Sequence, residues 1–233
     1  LSGNHLCRNP RVLKEAGSLA RAGLEVEVLG AWTDPGMRAE DVELLADAPF
    51  RFTPVVDSAG AGGAARVRWL LARLLARGMR SARRTFGLES RWQLGPMVGA
   101  LGRAARARRV DLAIAHSEPA LAVAAELQRS GRRVGIDLED WFSEDLLPEA
   151  RRSRPGRLIA GLERQLLRHG AHASCTSNAM SAALAEAYDC VAPAAIYNAF
   201  PWSERASLDG RLSDRASRHR PSIHWYSQTL GEG

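Results

Sequence analysis

Apolar residues in this chain alternate between short runs and helical stripes, which is the pattern of a parallel α/β sheet. The first thirty residues show it best. Leu1-Ser2 reads as the tail of a strand, and Gly3-Asn4 as the turn after it. A helix follows, with Asn9 at its cap, Pro10 in its first turn and Gly23 where a helix end favours a left-handed residue. Val26-Glu27-Val28-Leu29 is then a strand running to Gly30. A loop with Trp32, Asp34, Pro35 and Gly36 leads to a third strand, Phe50 to Val56, and Pro54 confines that strand to a sheet edge. Ala59-Gly60-Ala61-Gly62-Gly63 has the composition of a flexible connection.

From Ala64 to Arg84 the period changes to that of a long helix. Val67, Leu70, Leu71, Leu74 and Leu75 share one stripe, and Arg66, Arg73, Arg77, Arg80 and Arg84 occupy much of the opposite face. The leucine stripe is expected to pack on the core beneath a solvated arginine face. The other reading, with Trp69 in view, lays this helix on anionic lipid. A second basic helix is expected between Pro96 and Arg109.

The α/β rhythm then resumes. Strands are expected at Val110–Ala115, Arg133–Leu138, Ala171–Cys175 and Ala194–Tyr197. Helices are expected from Ala120 to Arg129 closed by Gly131, from Pro155 to His169 ending at Gly170, and from a Ser177 cap to Tyr188. The pattern predicts a Rossmann-like, doubly wound parallel sheet with helices on both faces. Residues 1–198 form that domain, 199–221 read as an arginine-rich linker, and 222–233 as the first strand of a second, truncated domain. The chain thus reads as a fragment at both ends.

Composition narrows the class without naming a function. The 233 residues are 45% hydrophobic and 25% charged, as in an ordinary globular protein. No apolar run reaches the roughly 18 residues of a membrane span, and no basic-then-apolar leader opens the chain. Cys7, Cys175 and Cys190 show no metal spacing and their odd number argues against a disulfide framework, so a reducing cytoplasm is expected. Cys7 reads as a small apolar filler. The net charge of +6 rests on arginine, with Lys14 the only lysine, which reflects biased genomic composition as much as a basic surface.

Ligands of open parallel sheets bind beyond the carboxyl ends of the strands. The residues there are Gly3, Asn4 and His5; His116, Ser117 and Glu118; Glu139 and Asp140 after Asp137-Leu138; Thr176, Ser177 and Asn178; and Asn198. Each alone is what a solvated rim or a helix start would carry. Together, a histidine and carboxylates facing a helix N-terminus suit a ligand that is part phosphate, part polyol. Asp137, Glu139, Asp140, Glu144 and Asp145 are hard oxygen donors, but their spacing matches no calcium loop, and no protein-held metal is expected.

Pro10-Arg11-Val12-Leu13-Lys14-Glu15-Ala16 with Leu19 to Leu29 resembles the opening of family-four glycosyltransferases, which have the two-domain GT-B fold. Val110 to His116 resembles their strand ending in histidine, and Leu162 to Leu167 with Ala171 and Cys175-Thr176-Ser177 resembles their helix–strand–serine passage. Ile196-Tyr197-Asn198-Ala199-Phe200-Pro201 resembles the segment before their domain crossover, and Ile223 to Gly231 the first strand and glycine turn of their second domain. The resemblance implies transfer of a sugar from a nucleotide-sugar donor to an acceptor hydroxyl, with retention and without a metal or other cofactor. It makes His116 the contact near the reacting centre and places Gly3 and Asn4 near the donor phosphates. Glu118, Asp137, Glu139, Asp140, Ser177 and Asn198 are left to the acceptor side of the cleft. The family's first loop often carries paired glycines, whereas here Gly3 stands alone before Asn4 and His5.

The expected partners are a nucleotide-sugar, a glycan or lipid-linked acceptor, and an anionic membrane surface, with the enzyme peripheral at the inner face. Nucleic acid is not expected, because aromatic residues do not interleave with the arginines. A sugar-nucleotide epimerase of the same fold is the enzymatic alternative, and a non-catalytic, basic membrane-surface module is the other. Without its donor half the fragment is expected to be inactive.

Overall fold

The computed structural model describes residues 1–60, 62–200 and 202. Residues 1–197 form one compact unit. Its elements are α1 (Pro10–Arg21), β1 (Glu27–Trp32), α2 (Pro35–Leu45), β2 (Arg51–Asp57), α3 (Gly63–Phe86), α4 (Val98–Arg106) and β3 (Ala113–Ala115). They continue with α5 (Glu118–Arg129), β4 (Val134–Leu138), α6 (Pro148–Arg152), α7 (Gly156–His169), β5 (His172–Cys175), α8 (Asn178–Tyr188) and β6 (Ala194–Ala195). The expected linker at 199–221 and the strand from Ser222 lie outside the described residues, apart from 199, 200 and 202.

All strand pairs are parallel: β1 with β2 in one sheet, and β3-β4-β5-β6 in the other. The N-terminal segment joins the two. Leu1 donates its amino nitrogen to the Ile114 carbonyl (2.6 Å) and accepts from the His116 amide (3.1 Å), which is the parallel bridge pattern around Ala115. On its other side Ser2 donates to Leu29 (3.0 Å), and the Asn4 carbonyl accepts from Ala31 (3.1 Å). Counting this segment as a strand, the order across the molecule is β2, β1, the N-terminal segment, β3, β4, β5, β6. Pro54 is on the outermost strand as expected, and the register slips there, with Gly30 facing Pro54 but Ala31 facing Val56.

Strand alternation builds a core on each face. Val28 turns to a small cluster with Leu6, Val12 and Ala16, whereas Leu29 turns to the main core of α4, α5, α7, α8 and the central strands. On β4, Val134, Ile136 and Leu138 belong to the main core, and Asp137 faces the other way. Helix caps follow the sequence. Asn9 Oδ1 accepts from the Val12 amide (3.0 Å), and Gly23 after α1 has a φ of +90°.

Several expectations need correction. The stretch read as a loop after Trp32 contains α2, whose Asp34 side chain caps the Met37 amide and whose Pro35 is the first residue. The fourth predicted strand is shorter, because Val110 and Leu112 are exposed ahead of β3. The leucine stripe of α3 does not pack on the core. That helix is seated by Ala65, Trp69, Ala72, Ala76 and Met79, of which Ala76 is buried. Val67, Leu70, Leu71, Leu74 and Leu75 remain between 46% and 64% exposed. Alanines interleaved with Trp69 and Met79 form the seated side, and this leaves the wider apolar stripe outward. Among the described residues no helix is long and apolar enough to cross a membrane.

Candidate functional site

Two residues one turn apart on α1, Arg11 and Glu15, reach the polar underside of the central strands. Arg11 forms a bidentate bridge to Asp137, with Nε to Oδ2 at 2.5 Å and an Nη to Oδ1 at 2.6 Å. Its guanidinium also donates to the carbonyls of Ile196 (2.6 Å) and Cys175 (3.4 Å), which ties α1 to the ends of β5 and β6. Ser174 Oγ donates to Asp137 Oδ1 at 2.5 Å. His116, at the end of β3, lies between two carboxylates: Nε2 is 2.7 Å from Glu15 Oε2, and Nδ1 is 3.2 Å from Asp137 Oδ2. The second contact is a charge approach, out of line for a directed hydrogen bond.

Burial sets the electrostatics. Desolvation alone would lower the His116 pKa, but Asp137 and Glu15 outweigh it and raise the value. Burial would likewise raise Asp137, yet Arg11, His116 and Ser174 hold its carboxyl well below the usual range. With His116 protonated, two cations and two carboxylates balance. A divalent cation at the Glu15–His116–Asp137 cluster would have to displace the Arg11 bridge, which already supplies the positive charge.

A second cluster pins the first turn. Asp41 of α2 is fully buried and accepts from the amides of Leu6 (3.1 Å) and Cys7 (2.7 Å) and from Trp32 Nε1 (3.0 Å). His5 Nε2 accepts from the amides of Thr33 (2.9 Å) and Asp34 (3.2 Å), so the ring proton sits on Nδ1, facing Asp41 at 3.2 Å. His5, Cys7 and Asp41 also have metal-compatible spacing. Burial and Asp41 push the Cys7 thiol up to about 12, and its Sγ donates to the Met37 carbonyl at 3.7 Å.

The rim residues sort by what holds them. Gly3 is buried with φ +74°, and a Cβ there would meet Ser117 Oγ at 3.2 Å and Pro119 at 3.4 Å. Asn4 beside it is exposed. Ser117 is buried and donates to the Ser2 carbonyl. Glu118 is engaged by Arg154, which also holds Asp145 at 2.9 Å. Ser177 caps α8 by accepting from the Met180 amide (3.1 Å). His116 and Asp137 are buried beneath the rim, not open on it. Asn198 falls in the second unit. Glu139 and Asp140 remain at the end of β4, the former half-buried and the latter exposed. Burial, with Asp140 beside it, raises the Glu139 pKa, and among the described residues its carboxylate has no hydrogen-bond or ion-pair partner.

Arg66, Arg73, Arg77, Arg80 and Arg84 are all exposed on α3, on one flank between its seated face and its leucine stripe. Sequence reasoning passed over Arg11, Glu15 and Ser174. The signal was an Arg/Glu pair four residues apart beside the apolar positions Val12 and Ala16. It also passed over Glu163, fully buried on α7, which accepts from the Ser143 amide (3.1 Å) and hydroxyl (2.6 Å) and from Tyr188 Oη (2.5 Å). That cluster fixes the segment following Glu139 and Asp140. No protein-family model matches this chain, and no curated relative matches it in sequence.

Proposed function

We propose that this chain is the acceptor-side half of a glycosyltransferase of the GT-B type, a Rossmann-like unit that contributes the strand-end rim to an interdomain cleft. Its co-substrate is a nucleotide-sugar and its acceptor a glycan or lipid-linked hydroxyl. The observation that carries this reading is the half-buried Glu139, without a side-chain partner among the described residues, with Asp140 at the end of β4, two residues after the charge-balanced Asp137. A carboxylate in that state accepts hydrogen bonds from the hydroxyls of a polyol. The strand order supports the reading as well. Chain connections leave the N-terminal segment toward β1 on one side and reach β3 on the other, and ligands bind at such a switch point. Gly3 and Asn4 stand on one side of it and His116 and Ser117 on the other.

Within this reading His116 is a positioning residue. Held between Glu15 and Asp137, it fixes the floor under the rim, while Glu139 and Asp140 touch the acceptor and Asn4 flanks the donor phosphates. Charge developing on the leaving nucleoside diphosphate would be stabilised electrostatically by backbone N–H groups and basic side chains, with the donor half excluding water.

The test is nucleotide release from UDP-, GDP- and ADP-sugars by the chain extended past Gly233 with its donor half. Release from one donor that needs an acceptor and falls on the order of 100-fold in Glu139→Gln is the expected outcome. Turnover of a nucleotide-sugar without acceptor would make the protein an epimerase. A folded protein that releases nucleotide from none of the donors would remove the transferase reading.

A further inference from the structure

The C-terminal end of α3 borders a cavity of about 700 Å³ lined by Arg83, Arg84, Leu88, Glu89, Arg152 and Arg157 with Gly87. Its one carboxylate is already used: Glu89 accepts from the Leu158 amide (2.6 Å) and lies 3.7 Å from Arg83 Nε. Arg83 in turn donates to the Arg152 carbonyl (2.8 Å). Arg84, Arg152 and Arg157 are exposed and have no carboxylate partner among the described residues. Three exposed arginines without a carboxylate partner among the described residues therefore line one opening. α7 begins at this opening, with its Leu158 amide already bonded to Glu89.

α3 also offers an apolar surface: Leu70, Leu71, Leu74 and Leu75 are outward, and Leu88, just past the helix, lines the cavity at 59% exposure. Gly63–Phe86 contains no acidic residue, and five arginines line one flank. We propose that α3 lies in the surface of an anionic membrane with its leucines at the acyl boundary, and that the arginine cavity at its end takes a lipid phosphate. A free phosphate would satisfy the arginines but leave the stripe in water. A second copy of the same face would bring two arginine flanks together. An anionic lipid covers the stripe and neutralises the flank in one contact. This does not depend on the transferase reading, since membrane binding is read without any donor or acceptor.

The experiment is co-sedimentation of the full chain with vesicles of phosphatidylglycerol and phosphatidylcholine, against phosphatidylcholine alone. Binding to the anionic vesicles only is expected, weakening as salt is raised. Arg84→Ala/Arg152→Ala/Arg157→Ala should lower the partition coefficient on the order of 100-fold. Leu70→Gln/Leu74→Gln should lower it on the order of 10-fold or more by removing the inserted apolar area. All these positions are exposed, and unchanged circular dichroism melts verify that each variant is folded. Parent-like binding by either variant overturns the proposal. So does a chain that ignores vesicles but binds inorganic pyrophosphate in calorimetry, or one that sediments as a dimer and becomes monomeric in the leucine variant.

Discussion

Asp137 illustrates how one buried residue gathers the unit. It takes two bonds from Arg11 and one from Ser174, and His116 stands 3.2 Å away. Removing one partner of such a network leaves an uncompensated buried charge, so His116→Ala is expected to cost about 3 kcal/mol, measured by urea unfolding. The pH dependence follows from the directions of the shifts. His116 is raised from 6.5, so the stability it contributes is complete below 6.5 and is lost as pH climbs through the raised folded value. Asp137 is depressed from 3.8, so its contribution is present above 3.8 and is lost as pH falls through the folded value. Glu163, Glu139 and Asp145, raised chiefly by burial, run the other way: their contribution is complete below their unfolded values and is lost as pH rises through their folded values. The expected profile loses stability on the acid side as Asp137 protonates and carries a decline above pH 6.5 that His116→Gln reduces. An alkaline decline of unchanged size in that variant would detach His116 from it.

At the scale of the element, α3 separates amphipathicity from packing. Its apolar period is strong, yet the stripe that carries it faces outward, and a line of alanines with Trp69 and Met79 seats the helix. Leu74→Ser should therefore change stability by less than about 0.5 kcal/mol. Ala76→Leu, which forces bulk into the buried contact, should cost about 2 kcal/mol. The reverse order in thermal melts would mean that the leucines are the packed face. Shorter helices behave more simply: α1 and α8 start at Asn9 and Ser177, whose side chains satisfy the first free amides.

For the whole unit the decisive contact is the N-terminal segment between β1 and β3. Without it the molecule has a two-stranded and a four-stranded sheet. With it the hydrogen-bonded ladder is continuous and the two cores lie on opposite faces of one sheet. The amides of Ala31 and His116, which bond to that segment, should then show hydrogen-exchange protection equal to Ile136 in the central core. Exchange orders of magnitude faster at Ala31 would mean that β1 and β2 open independently.

The sequence alone determined what depends on neighbours along the chain: the alternation of strands and helices, the caps at Asn9 and Ser177, the left-handed Gly23, and the edge position that Pro54 demands. These are local steric and hydrogen-bonding rules, and a few residues carry each of them. It also marked the strand ends as the polar rim. Only the tertiary structure decided which rim residues are free. His116, Asp137 and Glu118 looked as open as Glu139 until Glu15, Arg11 and Arg154 arrived from distant positions to engage them. The same holds for α3, whose periodicity gives two faces but not the one that meets the body. Burial and charge pairing are properties of residues brought together from far along the chain, and local spacing carries no record of them.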